Sequence, residues 1–101
     1  MPVVKYDRPL GQGARKRHYH KTERGKVIDF MVQLEVQVGG EWKEVIRYDC
    51  THNFAHMDRY DLEGKRKKDD LELNYEEALT LADTDINDNW EKYQQRFLKG
   101  G

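Results

Sequence analysis

Cysteine, proline and long apolar runs are all scarce in this chain of 101 residues. Cys50 is its one cysteine, which excludes an intrachain disulfide and an all-cysteine metal site and is typical of a reducing compartment. No apolar run approaches the roughly 20 residues of a membrane helix, and residues 1–17 lack the apolar core of a signal peptide. We therefore expect a cytoplasmic protein that has no membrane partner.

Charged residues, by contrast, are abundant and unevenly distributed. They make up 37% of the chain, against about 25% in an average domain, so we expect one thin core. The net charge is −1, yet residues 1–26 carry 8 Lys or Arg and 2 Asp or Glu, while the remainder carries 10 and 17. Such a basic segment is typical of contact with nucleic-acid phosphates. The alternative is that it lies across the acidic remainder of its own chain or of a second copy.

The first 25 residues contain both prolines and show neither a strand period nor a helical period. They are predicted to form a basic N-terminal arm, followed by one α+β domain over residues 26–99. Cations of this arm, together with two later arginines, are the predicted nucleic-acid contacts: Arg15, Lys16, Arg17, Lys21, Arg47 and Arg59.

Apolar and polar residues alternate from Val27 to Val38, which predicts a half-buried strand. Gly39-Gly40 and a second β-rich run ending at Tyr48 complete a predicted hairpin. A third extended segment ending at Tyr60 and a short fourth strand at residues 71–73 are also predicted. The expected sheet is thus a small antiparallel meander of three to four strands.

The C-terminal quarter has a helical period, and Asn74 with Glu77 matches a capping box. Asp83-Thr84-Asp85 are poor helix formers, so one or two helices are predicted on one face of the sheet, with a division into residues 75–82 and 85–98 favoured. Five aromatic residues are predicted core members: Phe30, Trp42, Tyr75, Trp90 and Phe97.

Residues 47–60, RYDCTHNFAHMDRY, concentrate the groups that could carry chemistry. In an extended chain His52, His56 and Asp58 share one face, with Asp49 just upstream. Such a set could bind a divalent metal, perform general acid–base catalysis beside a phosphate-binding arginine, or simply satisfy hydrogen bonds within the sheet. Asp49, His52, His56 and Asp58 are the predicted catalytic residues, and the metal and cofactor stay open. Cys50 is predicted to be a buried, inert thiol.

Two resemblances arise at the same segment. The spacing Arg47-Tyr48-Asp49, His52, His56, Asp58 resembles an uncharacterised family of short prokaryotic proteins with an RYDxxHxxxHxD motif, over residues 27–97. More distantly it resembles the TumE-type toxins of toxin–antitoxin pairs, although Cys50 follows Tyr48-Asp49 and the HxH of those toxins is absent from the segment.

Three functions are consistent with these patterns. The first is an interaction or nucleic-acid-associated module, one version being a member of a toxin–antitoxin-like pair. The alternative is a small nuclease or metal-dependent hydrolase that uses the four predicted catalytic residues. The second alternative is a structural subunit of a homo-oligomer. The corresponding partners are RNA or DNA, a cognate protein, or a second copy of the chain.

Overall fold

The computed structural model describes residues 2–100, in which an antiparallel sheet of six strands precedes one helix. The elements are β1 (Val3–Gly11), β2 (Ala14–Glu23), β3 (Lys26–Val38), β4 (Glu41–Asp49), β5 (His56–Tyr60), β6 (Arg66–Asp70) and α1 (Tyr75–Leu98). Every strand pairs with its neighbour in sequence, so the sheet is a meander with β1 and β6 at its edges. A short 3₁₀ turn, Thr51–Asn53, joins β4 to β5.

The predicted fold of three to four strands, one or two helices and a basic N-terminal arm is wrong. The segment assigned to the arm forms β1 and β2. The alternation of apolar and polar residues was not detected there, because the inward positions of β2 include Lys16 and His18, which are buried but not apolar. The last strand was also misplaced, since β6 spans Arg66–Asp70 rather than residues 71–73.

Helix α1 is continuous over 24 residues and begins at the predicted capping box of Asn74 and Glu77. The favoured division into two helices is therefore wrong. Asp83 and Asp85 do not end the helix, because their carboxylates accept hydrogen bonds from the sheet instead of from the local backbone. Lys16 Nζ lies 3.2 Å from an oxygen of Asp83, and the Tyr48 hydroxyl lies 2.5 Å from one of Asp85.

The helix covers one face of the sheet and encloses the apolar core between them. Phe30 and Phe97 are buried there, as predicted, whereas Trp42 is 39% exposed and was wrongly assigned to the core. Burial raises the pKa of the Cys50 thiol to about 11, in agreement with the predicted inert thiol. Within residues 2–100 no helix is both long and apolar enough to span a lipid bilayer.

A polar cluster interrupts this apolar interface near the β1 edge. His18 is 4% exposed, and its Nδ1 donates to Asp83 over 3.1 Å. Its Nε2 lies 2.7 Å from Nδ1 of His20, and its ring stacks on Tyr6 with centroids 4.7 Å apart. Lys16 shares the same Asp83 oxygen. Desolvation lowers the pKa of His18 from the ordinary 6.5, and the nearby Asp83 only partly opposes that effect.

We expect this cluster to make the protein acid-sensitive. Because the folded-state pKa of His18 is lowered, its contribution to stability is complete above pH 6.5 and is lost as the pH falls through the folded value. Urea unfolding across this range should show a falling free energy of unfolding, and His18→Gln should flatten the dependence. Exposed His52 supplies the control, since His52→Gln should keep the wild-type slope. An unchanged slope in His18→Gln would contradict this account.

Candidate metal centre

The face of the sheet turned away from α1, here called the open face, is polar yet partly buried. Its residues come from the alternate positions of each strand. Their buried members are all polar or charged: Gln33, Glu35, Asp49, His56 and Asp58. Buried charges are costly unless they are paired or bind a metal, so their partners are informative.

Three of these side chains converge on one point of the β4–β5 hairpin. Asp49 lies directly opposite His56 in the antiparallel register, and Asp58 follows two positions along β5 on the same face. His56 Nε2 is 2.5 Å from Asp49 Oδ1 and 3.8 Å from Asp58 Oδ2. One ligand atom from each residue lies within 4.8 Å of the others. Two ligands on one Zn²⁺ or similar ion are about 3 Å apart, so small shifts would suffice for coordination.

His56 has no ring nitrogen free for general acid–base work on a substrate. Its Nδ1 donates to the backbone carbonyl of Phe54 over 3.2 Å, and the whole side chain is only 2% exposed. This bond orients Nε2 towards the two carboxylates. A histidine held in this way is typical of metal sites, where the second ring nitrogen donates to a carbonyl and fixes the ligating nitrogen.

Asp58 supplies the most informative atom of the cluster. Its side chain is 5% exposed, and its buried Oδ1 has no hydrogen-bond partner among residues 2–100. Asp49 differs, because its Oδ2 accepts from Arg47 Nε over 2.6 Å. Buried carboxylate oxygens without a partner are uncommon in native proteins, so such an atom indicates a bound ligand, a proton or a water molecule. Two carboxylates and one imidazole are a ligand set that suits Mn²⁺, Fe²⁺ or Zn²⁺.

A cavity of about 260 Å³ lies over the cluster, and it is lined by cations as well as by the three candidate ligand residues. Arg66 and Lys68 of β6 enter its wall because β6 presents alternate residues to the open face. Sequence reasoning missed these two residues as part of the site. Their signal in the sequence was the basic run Lys65 to Lys68, of which only the first residue lies outside β6.

The structure thus brings Asp49, His56 and Asp58 together, and it places the fourth predicted residue differently. His52 belongs to the 3₁₀ turn, not to a strand, and has a left-handed backbone with φ of 72°. Its exposed side chain lines the cavity without joining the three ligand residues. The prediction that His52 and His56 lie on one strand face fails because β5 begins only at His56.

Four of the predicted nucleic-acid contacts lie on the open face. Arg15 binds the buried carboxylate of Glu35 at 2.6 Å, and Arg17 reaches the same group at 3.8 Å. Lys21 is half-buried farther along β2, and Arg47 is held by its ion pair with Asp49. Three of these cations lie along β2 and the fourth lies across β3 on β4, and three of the four already neutralise carboxylates.

The other two predicted contacts are turned away from that face. Lys16 is 1% exposed beneath α1, where it bonds Asp83 and Asn87. Arg59 pairs in register with Ile46 and so belongs to the helix-covered side. Sequence reasoning grouped these residues with the others because it could not assign alternate positions to faces.

Comparison with known proteins gives a family but no activity. No curated protein and no solved structure matches the chain. The distant resemblance to TumE-type toxins is therefore not confirmed. A family model described as "Domain of unknown function (DUF7718)" matches residues 1–101, which covers the whole chain. The chain belongs to this family, the domain of unknown function DUF7718.

Proposed function

We propose that this protein is a divalent-metal-dependent phosphodiesterase that acts on single-stranded nucleic acid. The observation that carries the proposal is the unpartnered Oδ1 of buried Asp58, which lies with Asp49 and His56 beneath a cavity lined by cations. A divalent ion bound there would supply Lewis-acid and water-activating chemistry. The hydrolase alternative is thus preferred to a purely structural motif.

The metal-dependent version is favoured over a metal-free one by the hydrogen bonds of His56. A general base must present a nitrogen to the substrate. His56 directs Nδ1 to the carbonyl of Phe54 and Nε2 to Asp49. The Nε2 atom of His56 is therefore placed to bind an ion between the carboxylates, and neither ring nitrogen is placed to accept a proton from a substrate hydroxyl.

The cations of the cavity support a phosphate-bearing substrate. Arg47 is already paired with Asp49, whereas exposed Arg66 and Lys68 line the opposite wall. Guanidinium and ammonium groups on one wall of a small cavity suit a phosphodiester, which carries one negative charge. We infer that Arg66 and Lys68 bind the phosphate beside the ion.

An exposed aromatic ring next to the cavity supports a nucleic-acid substrate. Phe54 is 36% exposed, its centroid is 5.2 Å from that of His56, and Lys68 Nζ lies 5.6 Å from it. Exposed aromatic rings beside cations bind unpaired bases by stacking, and bases inside a duplex are not available for this. The cations of β2 and β4 on the open face would extend the contact along the nucleic acid. Membership of a toxin–antitoxin pair stays a separate prediction.

In the proposed reaction the oxygen of a water molecule bonds to phosphorus and loses a proton to solvent. The bond from phosphorus to the leaving oxygen breaks, and that oxygen takes up a proton. His52, exposed at the rim of the cavity, is a group able to donate it. Removal of such a general acid lowers kcat by about 10²–10⁴-fold.

Cleavage of end-labelled single-stranded RNA and DNA, assayed with Mn²⁺, Mg²⁺, Zn²⁺ or a chelator, tests the proposal. We expect ion-dependent cleavage that is lost in Asp58→Asn and slowed in His52→Ala. Lys68→Ser should raise KM more than it lowers kcat, and Asp88→Asn on the exposed side of α1 is the matched control. Cleavage that persists in the chelator, or no cleavage with any of the three ions, would contradict the proposal.

A further inference from the structure

Strand β1 leaves one edge of the sheet exposed. Its residues are exposed almost throughout, including the apolar or aromatic side chains of Val3, Val4 and Tyr6 at 53%, 41% and 39%. The opposite edge, β6, has the sequence RKKDD and contains no apolar residue. An edge made of charged residues alone resists pairing with other strands, whereas β1 combines exposed apolar side chains with the charges of Lys5, Asp7 and Arg8. The two edges of this sheet are therefore not equivalent.

The pairing of β1 with β2 shows which backbone groups of β1 face outwards. The carbonyl of Pro2 accepts from Thr22 N in β2 over 3.1 Å. Since backbone groups alternate in direction along an antiparallel strand, those of Val3, Lys5 and Asp7 point away from the sheet. The backbone of Pro9 faces outwards too, so its missing N–H costs the sheet of one chain nothing but leaves a pair with a second strand one hydrogen bond short.

We propose that β1 pairs antiparallel with β1 of a second copy, about a two-fold axis at Tyr6, so that two sheets become one. In this register Lys5 lies opposite Asp7 of the second copy, and Asp7 lies opposite its Lys5. Val3 faces Pro9, an apolar pair. All of these pairs join side chains on the same face, as a ladder requires.

Charge complementarity selects this register over its neighbours. A two-fold axis at Lys5 would place the two Lys5 side chains opposite each other, and an axis at Asp7 would oppose two carboxylates. Like charges directly opposite each other in a sheet are destabilising. The axis at Tyr6 avoids both and creates two opposite-charge pairs. Tyr6 would occupy a non-hydrogen-bonded position, where side chains approach most closely.

Charge reversal tests the interface on the full-length protein. Light scattering coupled to size exclusion, across a dilution series, should give a species of twice the chain mass of 12.1 kDa. Lys5→Asp alone and Asp7→Lys alone should each give the monomer mass. The double variant Lys5→Asp/Asp7→Lys should restore the dimer. A wild-type monomer at every concentration, or a dimer that both single variants retain, would overturn the proposal.

Disulfide capture tests the register itself. Tyr6→Cys should cross-link two chains under mild oxidation, since the Cα atoms of such a pair lie about 4.5 Å apart, within the range of a disulfide. Arg8→Cys is the control, because Arg8 faces Val4 of the second copy. Equal cross-linking of the two variants would overturn the register. Metal binding and cleavage depend on residues of β4 and β5, and the dimer depends on β1. The proposed function and the proposed dimer can therefore each fail without the other.

Discussion

Asp58→Asn is expected to abolish the stabilisation of this protein by Mn²⁺ without lowering the stability of the ion-free protein. An ion that binds only the folded state adds about 2.7 kcal/mol at 100 times its Kd, which for a domain of this size raises Tm by about 10–20 °C. Asparagine removes one of the two buried carboxylates that the ion requires. It also removes the repulsion between Asp58 and Asp49 in the ion-free state.

Thermal unfolding with Mn²⁺ or with a chelator measures both effects. Asp88→Asn, which alters an exposed carboxylate on α1, should keep the full wild-type shift in Tm. A wild-type protein whose Tm does not change with Mn²⁺, Zn²⁺ or Fe²⁺ would count against the metal centre. So would an Asp58→Asn variant that responds as the wild type does.

Asp85→Ala is expected to give the largest loss of stability of any polar substitution discussed for this protein. Its carboxylate accepts from the hydroxyls of Tyr48 at 2.5 Å and Tyr93 at 2.7 Å, and from Asn89 Nδ2 at 2.8 Å. Burial and the bond to Asp85 raise the pKa of Tyr48 and raise that of Tyr93 to about 12. Leaving these donors without an acceptor should cost about 2–4 kcal/mol.

Chemical denaturation of Asp85→Ala and of the exposed control Asp88→Ala provides the measurement. The loss in the free energy of unfolding should be smaller when Asp85→Ala is made in a Tyr48→Phe background, because one donor is then already absent. If the two effects simply add, the bond between Tyr48 and Asp85 does not contribute as described. A loss equal to that of Asp88→Ala would contradict the role of Asp85 as acceptor.

Sequence reasoning named all three residues of the candidate metal centre, but only His56 and Asp58 have the two-residue spacing of one strand face. Asp49 lies on the preceding strand and does not belong to that spacing. Its position opposite His56 depends on the β4–β5 register, which is determined by a turn that contains left-handed residues. Arg66 and Lys68 could not be assigned, because their contribution depends on the pairing of β6 with β5. Short-range patterns do not specify such pairing.

The errors at β2 and at the middle of α1 are related. Strand β2 and the middle of α1 bury polar residues against one another, as Lys16 and His18 do against Asp83. Hydrophobic periodicity detects elements through their apolar faces, so it missed β2, whereas the low helix propensity of Asp83-Thr84-Asp85 led to the division of α1. The apolar strand β3 and the capping box of α1 could be predicted because each depends on local or strongly periodic residues.

The most direct measurement of the central claim is an anomalous difference map from a crystal of the protein soaked in Mn²⁺. The account predicts one strong peak between Asp49 Oδ1, His56 Nε2 and Asp58, with the Nδ1 of His56 still bonded to the carbonyl of Phe54. Peaks found only at exposed carboxylates, with these three side chains still paired as they are without the ion, would contradict it.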